Sequence, residues 1–319
     1  MGDMRTGRAF VFPGQGSQAV GMGKDLADAY PVARAVFQEV DDALGEPLSA
    51  LIWEGPEDRL TLTANAQPAL MAVSLAVAQV LVSESGKGFA DLCDYVAGHS
   101  LGEYSALAAA GTFDVATTAR LLRLRGEAMQ KAVPVGVGAM AALIGVELEA
   151  AQALAEAAAE GEICDVANDN GGGQVVLSGH AGAIDRAVAL APQHGVKRAL
   201  KLTVSAPFHC ALMAPAADAM AEALATVDPR PPVVPVIANV SATPSSDPDV
   251  IRRQLVEQVT GRVRWRESVA SYGSLGIGSV AELGAGKVLS GLVRRIDKEL
   301  TAASINGPAD VDAFLAMIG

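Results

Sequence analysis

The sequence predicts an α/β protein whose core is split by an inserted subdomain of ferredoxin-like pattern. Two observations carry the core. An apolar run, Phe10-Val11-Phe12, opens into a glycine-rich loop, and a second strand, YVAGHS, breaks at a tight turn into an Ala-rich helix. The third observation is residues 138–204, where strand and helix patterns alternate as βαββαβ. With 319 residues, half of them apolar, the chain can build one large domain or two smaller ones.

In chain order, the first loop carries Gly14, Gly16, Gly21 and Gly23. Helical periodicity follows through Val36, Val40 and Leu44, before Gly45 and Pro47. Residues 66–82 read as a buried helix rich in Ala, Leu and Val. LGEYSALAAAG is the helix that leaves the second strand, with Gly111 as its C-terminal cap. Within the insert, GAMAALIGV is a strand and EAAQALAEAAAEG a helix. ICDVAND and QVVLSGH are strands joined through Asn170-Gly171-Gly172-Gly173, AGAIDRAVALAPQHG is a helix, and VKRALKLTV is the last strand. Prolines at 207, 215 and between Asp228 and Pro248 mark loops. VVPVIANV reads as one more core strand, and a terminal helix is expected to begin near Lys287. The expected division is a discontinuous large subdomain, residues 1–135 and 206–319, and a small one, residues 136–205.

Composition excludes some functions. Twenty-four Lys and Arg against 36 Asp and Glu leave a net charge of −12, the wrong sign for neutralising a phosphate backbone. Cys93, Cys164 and Cys210 have no metal-ligand spacing and are odd in number, which points to a reducing compartment without structural disulfides. No opening stretch has the order of a signal peptide. The longest apolar run, residues 69–82, is interrupted by Ser74 and Gln79 and is short for a bilayer. Met1-Gly2-Asp3-Met4-Arg5-Thr6 fits a loose myristoylation pattern, but nothing polybasic follows. A soluble cytoplasmic protein, without nucleic-acid or membrane partners, is expected.

The chemistry concentrates in a few places. GHSLG, residues 98–102, has the G-x-S-x-G form of a nucleophile elbow, lying between an apolar strand and a helix. Small residues must flank so sharp a turn, which would hold Ser100 Oγ at the helix N-terminus; the alternative is a tight turn with a helix-capping serine. A serine needs a base to become nucleophilic. Of His99, His180, His194 and His209, the best placed is His209, presented from the rigid SAPFHCALM loop; the alternative is a satisfied, partly buried histidine.

Arg125 is anomalous by periodicity. In TTARLLRLRGEAMQKAV, Arg120, Arg123, Glu127, Gln130 and Lys131 share one face, whereas Arg125 falls among Leu121, Leu122, Ala128 and Met129. A guanidinium on a core-facing stripe must have a partner. Either it pairs with a structural carboxylate, or it is a fork held for a substrate carboxylate, which Arg binds with two parallel hydrogen bonds.

The loop after the first strand fits the dinucleotide form G-x-G-x-x-A, but VARAVFQEVDDALG keeps helical periodicity where the second strand of such a site should lie. An elbow serine requires a second backbone N–H from a neighbouring loop to complete an oxyanion hole, and Gln15 is the exposed candidate.

Together these pieces resemble the malonyl-CoA:acyl carrier protein transacylase family of fatty-acid synthesis, relatives of the acyltransferase domains of polyketide synthases. The similarity runs in order through FVFPGQGSQ, AGHSLGEYSAL, LLRLRG, NDNGGGQVVLSG, SAPFHCALM, NV, LVEQVTGRVRW and ELGAGKVLSGL. The resemblance implies an α/β-hydrolase-like core with the ferredoxin-like insertion. It makes Ser100 the nucleophile, His209 its base, and the backbone N–H groups of Gln15 and Leu101 the oxyanion hole. Arg125 would bind the malonyl carboxylate, and the main-chain carbonyl of Gln258 would orient the histidine. Asn168 and Asn170 lie in a family loop motif. Two positions depart from the pattern, Gly172 and Ala285 each standing where a proline is expected, and both are expected to loosen their loops. Phe208 is compatible with a small malonyl pocket.

The resemblance further implies ping-pong transfer from malonyl-CoA to the phosphopantetheine thiol of acyl carrier protein, with no metal or redox cofactor; a monomer is expected. A serine thioesterase with the same elbow, a polyketide-pathway acyltransferase and a non-catalytic carrier-binding subunit are the rivals. An acidic carrier would need a local basic rim on this acidic protein. Lys197, Arg198 and Lys201 are the expected docking patch; the alternative is a strand edge protected by charge.

Overall fold

The computed structural model describes residues 5–318, so the Met1-Gly2 opening lies outside the described residues. Among the described residues, ten strands form two sheets: β1 (Gly7–Phe12), β2 (Tyr95–Gly98), β3 (Gly138–Ile144), β4 (Cys164–Gly171), β5 (Gln174–His180), β6 (Arg198–Lys201), β7 (Val236–Ile237), β8 (Pro244–Ser245), β9 (Ile277–Leu283) and β10 (Thr301–Ile305). The six-stranded sheet runs β10-β9-β1-β2-β7-β8 and is parallel except for the β7–β8 pair. The other sheet is antiparallel, in the order β4-β5-β3-β6.

β1 shows why its sequence is apolar at each position from Ala9 to Phe12. Side chains alternate across a strand, and a parallel sheet is covered on both faces. Phe10 and Phe12 enter one core with helices Pro31–Leu44, Thr63–Ser85 and Val115–Lys131, while Ala9 and Val11 enter another with Trp265, Val280 and Leu292. Helix Thr63–Ser85 is longer than the apolar run suggested. Its 23 residues would suffice by length and composition to cross a bilayer, but 83% of its most apolar window is buried inside the protein. It is the central helix of the larger core.

Residues 138–201 form the expected βαββαβ order, with helices Leu148–Ala159 and Ala181–Leu190. Ala141, Leu143 and Leu177 pack beneath those helices. Met140, Ala142, Ala167 and Val176 form the opposite face, against Val204 and Phe208. That second face closes one wall of the site. The β4–β5 hairpin turns on Gly172 and Gly173, with φ of +59° and +74°, the two positive values of a type I′ turn. Proline, locked near −65°, cannot occupy position 172 in this turn. The departure from the family pattern thus makes a tight two-residue hairpin, not a slack loop.

Three expectations need correction. VVPVIANV contributes only Val236–Ile237 to the sheet, because Pro235 has no N–H and the chain turns back through Ala242 at φ +54°. The last strand of the insert stops at Lys201, well short of Val204, as the chain leaves the sheet toward His209. The helix beginning at Val288 is not terminal: it ends at Ile296, and β10 and helix Pro308–Ile318 follow. β9 and β10, IGSVAEL and TAASI, are rich in Gly, Ala and Ser, so their strand character comes from pairing beside β1 more than from local propensity.

Candidate active site

The site lies beyond the C-terminal ends of β1 and β2, the usual position in an open parallel sheet. β2 passes through Gly98, His99 and Ser100 directly into helix Leu101–Ala109. Ser100 takes φ +55° and ψ −114°, a conformation that L-residues rarely adopt and that surrounding structure must impose. The flanking glycines are steric necessities. A Cβ on Gly98 would stand 2.0 Å from the Gly102 carbonyl group, and one on Gly102 would stand 2.2 Å from the Phe12 oxygen. Asn239 pins the turn from the side, its Oδ1 accepting the Ser100 N–H at 2.7 Å and its Nδ2 donating to the Gly98 oxygen at 2.6 Å.

Ser100 makes no helix-capping bond. Its Oγ lies 2.7 Å from His209 Nε2. His209 is itself at φ +57° and 3% exposed. Its Nδ1 faces two main-chain oxygens, Gln258 at 2.9 Å and Gly261 at 3.1 Å. Helix Pro248–Thr260 ends there, so its last carbonyls have no intrahelical partner and carry the negative end of the helix dipole. A helix end thus does what a carboxylate does in a Ser-His-Asp triad: it sets the imidazole tautomer and favours the imidazolium. Burial, reinforced by the Arg125 charge, pushes the His209 pKa down to about 3. The resting ring is neutral and able to accept a proton.

Arg125 is 1% exposed on helix Val115–Lys131. Nη1 donates to Gln67 Oε1 at 2.8 Å, and Nη2 donates to Gln258 Oε1 at 2.8 Å and Ser100 Oγ at 3.2 Å. Its guanidinium carbon lies 5.6 Å from the Tyr104 ring centroid, and Nε has no partner among the described residues. These acceptors are neutral, so the internal salt bridge is not what the structure shows. The cation faces the serine with hydrogen-bonding capacity to spare.

The first loop packs against the elbow. A Cβ on Gly14 would stand 2.7 Å from the His99 oxygen, so that glycine serves close approach between two loops and not a phosphate cradle. Thr63 Oγ1 ties the Gln15 side chain at 2.8 Å. Gln15 and Leu101 both line the cavity beside Ser100, and neither backbone N–H has a partner among the described residues. His99 turns away from Ser100, its Nε2 meeting Asn170 Oδ1 at 2.8 Å. Asn168 lines the same cavity. His180 accepts the Ile163 N–H and belongs to the insert.

The cavity holds about 400 Å³. Met140, Ala142, Val176, Leu202, Phe208 and Leu292 make its apolar wall, against Gln15, Ser100, Arg125, Asn168, Asn170 and His209. The basic patch does not assemble as one surface. Arg198 pairs across from Ile144 and Lys201 from Ala141, so the alternation of β6 places them on opposite faces, and Lys201 is paired with Asp185 at 2.6 Å. Lys197 and Arg198 remain exposed without an ion pair among the described residues.

Sequence reasoning missed Gln67, Glu103 and the role of Asn239. Each is buried among largely apolar neighbours, and an amide or carboxyl side chain in so apolar a span is the signal that could have found them.

The acyl transferase domain family matches residues 9–303. The malonyl CoA-acyl carrier protein transacylase of Escherichia coli K12 is 46% identical over 309 residues, 97% of this chain and 99% of that protein. The crystal structure of the acyl-carrier-protein S-malonyltransferase from Bartonella henselae is 56% identical with a TM-score of 0.96, covering 98% of this chain and 100% of that one. A malonyl-transacylase in complex with a type II polyketide acyl-carrier protein is 44% identical with a TM-score of 0.94, covering 98% of this chain and 100% of that one. Agreement of this extent, from the first strand to the last, means that the chain belongs to the malonyl-CoA:acyl carrier protein transacylase family of acyl transferases.

Proposed function

We propose that this chain transfers the malonyl group from malonyl-CoA to the phosphopantetheine thiol of acyl carrier protein, in fatty-acid synthesis. One observation carries the reading: Ser100 Oγ lies 2.7 Å from His209 Nε2 and 3.2 Å from a buried Arg125 whose hydrogen-bond partners are all neutral. Ser100 Oγ attacks the thioester carbonyl while its proton passes to His209 Nε2. The N–H groups of Gln15 and Leu101 receive the oxyanion, and Arg125 holds the free carboxylate. Collapse expels the CoA thiolate, which takes the proton from His209, leaving a malonyl-serine ester. The carrier thiol then gives its proton to His209, attacks the ester and leaves with the malonyl group as Ser100 recovers its proton. The chemistry calls for no metal or further cofactor.

The larger body reads as an α/β-hydrolase-like core, residues 1–135 and 206–319, and residues 136–205 as a ferredoxin-like subdomain. The strand order β4-β5-β3-β6 supports the second description. We read the enzyme as a cytoplasmic monomer. Intact-mass detection of malonyl-Ser100 after mixing with malonyl-CoA, followed by its discharge on addition of carrier protein, tests the function. Ser100→Ala should abolish labelling, since losing the nucleophile of a coupled pair costs about 10⁴-fold or more in rate. Label lost to water as fast without carrier as with it would mark a thioesterase.

A further inference from the structure

Gln258 enters the site twice. Its carbonyl oxygen meets His209 Nδ1, and its side-chain amide joins the serine turn to Arg125. Nε2 donates to the Ser100 oxygen at 3.0 Å and to Glu103 Oε2 at 2.8 Å, while Oε1 accepts from Arg125 Nη2 at 2.8 Å. Turned over, the amide would set its NH₂ against a guanidinium and its oxygen against a carboxyl and a carbonyl. All three contacts would be lost together.

Glu103 makes that orientation firm. It lies in the first turn after Ser100 and is 1% exposed. The same Oε2 accepts the Asn239 N–H at 3.0 Å, so its two donors are both neutral. Burial raises its carboxyl to about 7. A carboxyl kept in such a place needs its donors, and one of them is the amide that faces Arg125. The guanidinium in turn is held by two side-chain oxygens, from Gln67 and Gln258, one on each Nη. Each Nη carries two protons, so Nη1 keeps one N–H free, while the second N–H of Nη2 is the one directed at Ser100 Oγ, where the acyl group would be carried.

Resting on the proposed malonyl transfer, we infer that Glu103 is a positioning residue for acyl selectivity: by fixing the Gln258 amide it aims Arg125 at the acyl carboxylate. It acts through Gln258, not on the substrate.

The test compares malonyl-CoA with acetyl-CoA in steady-state acylation of the full chain. Glu103→Met removes the acceptor at similar volume, and Glu103→Gln keeps an acceptor oxygen. Glu103→Met should lower the malonyl-to-acetyl kcat/KM ratio by about tenfold, the usual effect of losing one hydrogen bond to a charged group, mainly through the malonyl KM. Glu103→Gln should keep the ratio within about threefold of the unaltered chain. Gln258→Met retains the main-chain carbonyl for His209 and should reproduce the ratio shift; it decides the matter if Glu103→Met does not fold. Malonyl and acetyl rates falling in proportion in Glu103→Met and Gln258→Met, or no rescue by Glu103→Gln, would overturn the positioning role alone. Failure of the unaltered chain to take malonyl would overturn the functional reading and this inference together.

Discussion

Replacing Arg125 by alanine separates substrate recognition from the rest of the chemistry. Malonyl differs from acetyl by one carboxylate, which must shed water to enter a cavity of about 400 Å³ walled largely by apolar side chains. The guanidinium replaces that water, held by Gln67 and Gln258 at 2.8 Å each. Breaking a desolvated charge pair of this kind costs about 2–5 kcal/mol, roughly 30-fold to several thousand-fold in kcat/KM. Acetyl-CoA makes no such contact, so its transfer should fall little or rise. The malonyl-to-acetyl ratio should therefore drop by at least about tenfold. The substitution also leaves two buried amide oxygens unpaired, at about 1–3 kcal/mol each, which urea denaturation measures separately. Equal loss with both substrates, at saturating stability, would mean that Arg125 supports the fold and does not read the carboxylate.

Four further outcomes are expected. His209, pushed down to about 3 from 6.5, is neutral across the neutral range, so the acylation rate should stay flat from about pH 5 to 8; a fall centred near 6.5 would show an ordinary histidine. Because Glu103 is raised from 4.5 to about 7, its stabilising contribution is full below 4.5 and lost as pH rises through 7, so Glu103→Gln should gain relative stability in urea between those values, and no relative gain would contradict burial of the charge. Gly98→Ala drives a Cβ to 2.0 Å from the Gly102 backbone and should cost at least the upper part of about 1–3 kcal/mol in the urea midpoint, with loss of serine labelling; an unchanged midpoint would refute the steric account of the turn. Charge reversal at Lys197 and Arg198 should raise the carrier-protein KM while malonylation by CoA ester stays unchanged, and an unmoved KM would take docking elsewhere.

What the sequence determined alone is what local pattern can encode. Alternating elements between 138 and 201 announce the insert, and GHSLG announces a strained turn because only glycine fits at 98 and 102. Arg125 declares itself by breaking a helical apolar stripe, which a buried charge does only with partners. β9 and β10 went unread because Gly, Ala and Ser carry little strand preference, and partners far along the chain supply it. The β6 patch looked continuous because one-dimensional proximity ignores the alternation of faces.

Only the tertiary structure decided which partners those residues meet. The separations make the reason plain: Ser100 to His209 spans 109 positions, Arg125 to Gln258 133, and Gln258 to Glu103 155. No periodicity reaches that far. A parallel sheet gathers its strand ends at one edge, and the carbonyls freed at the end of helix Pro248–Thr260 are brought there to hold the histidine. Residue types set what chemistry the chain could do, and the order of the strands set which groups would do it together.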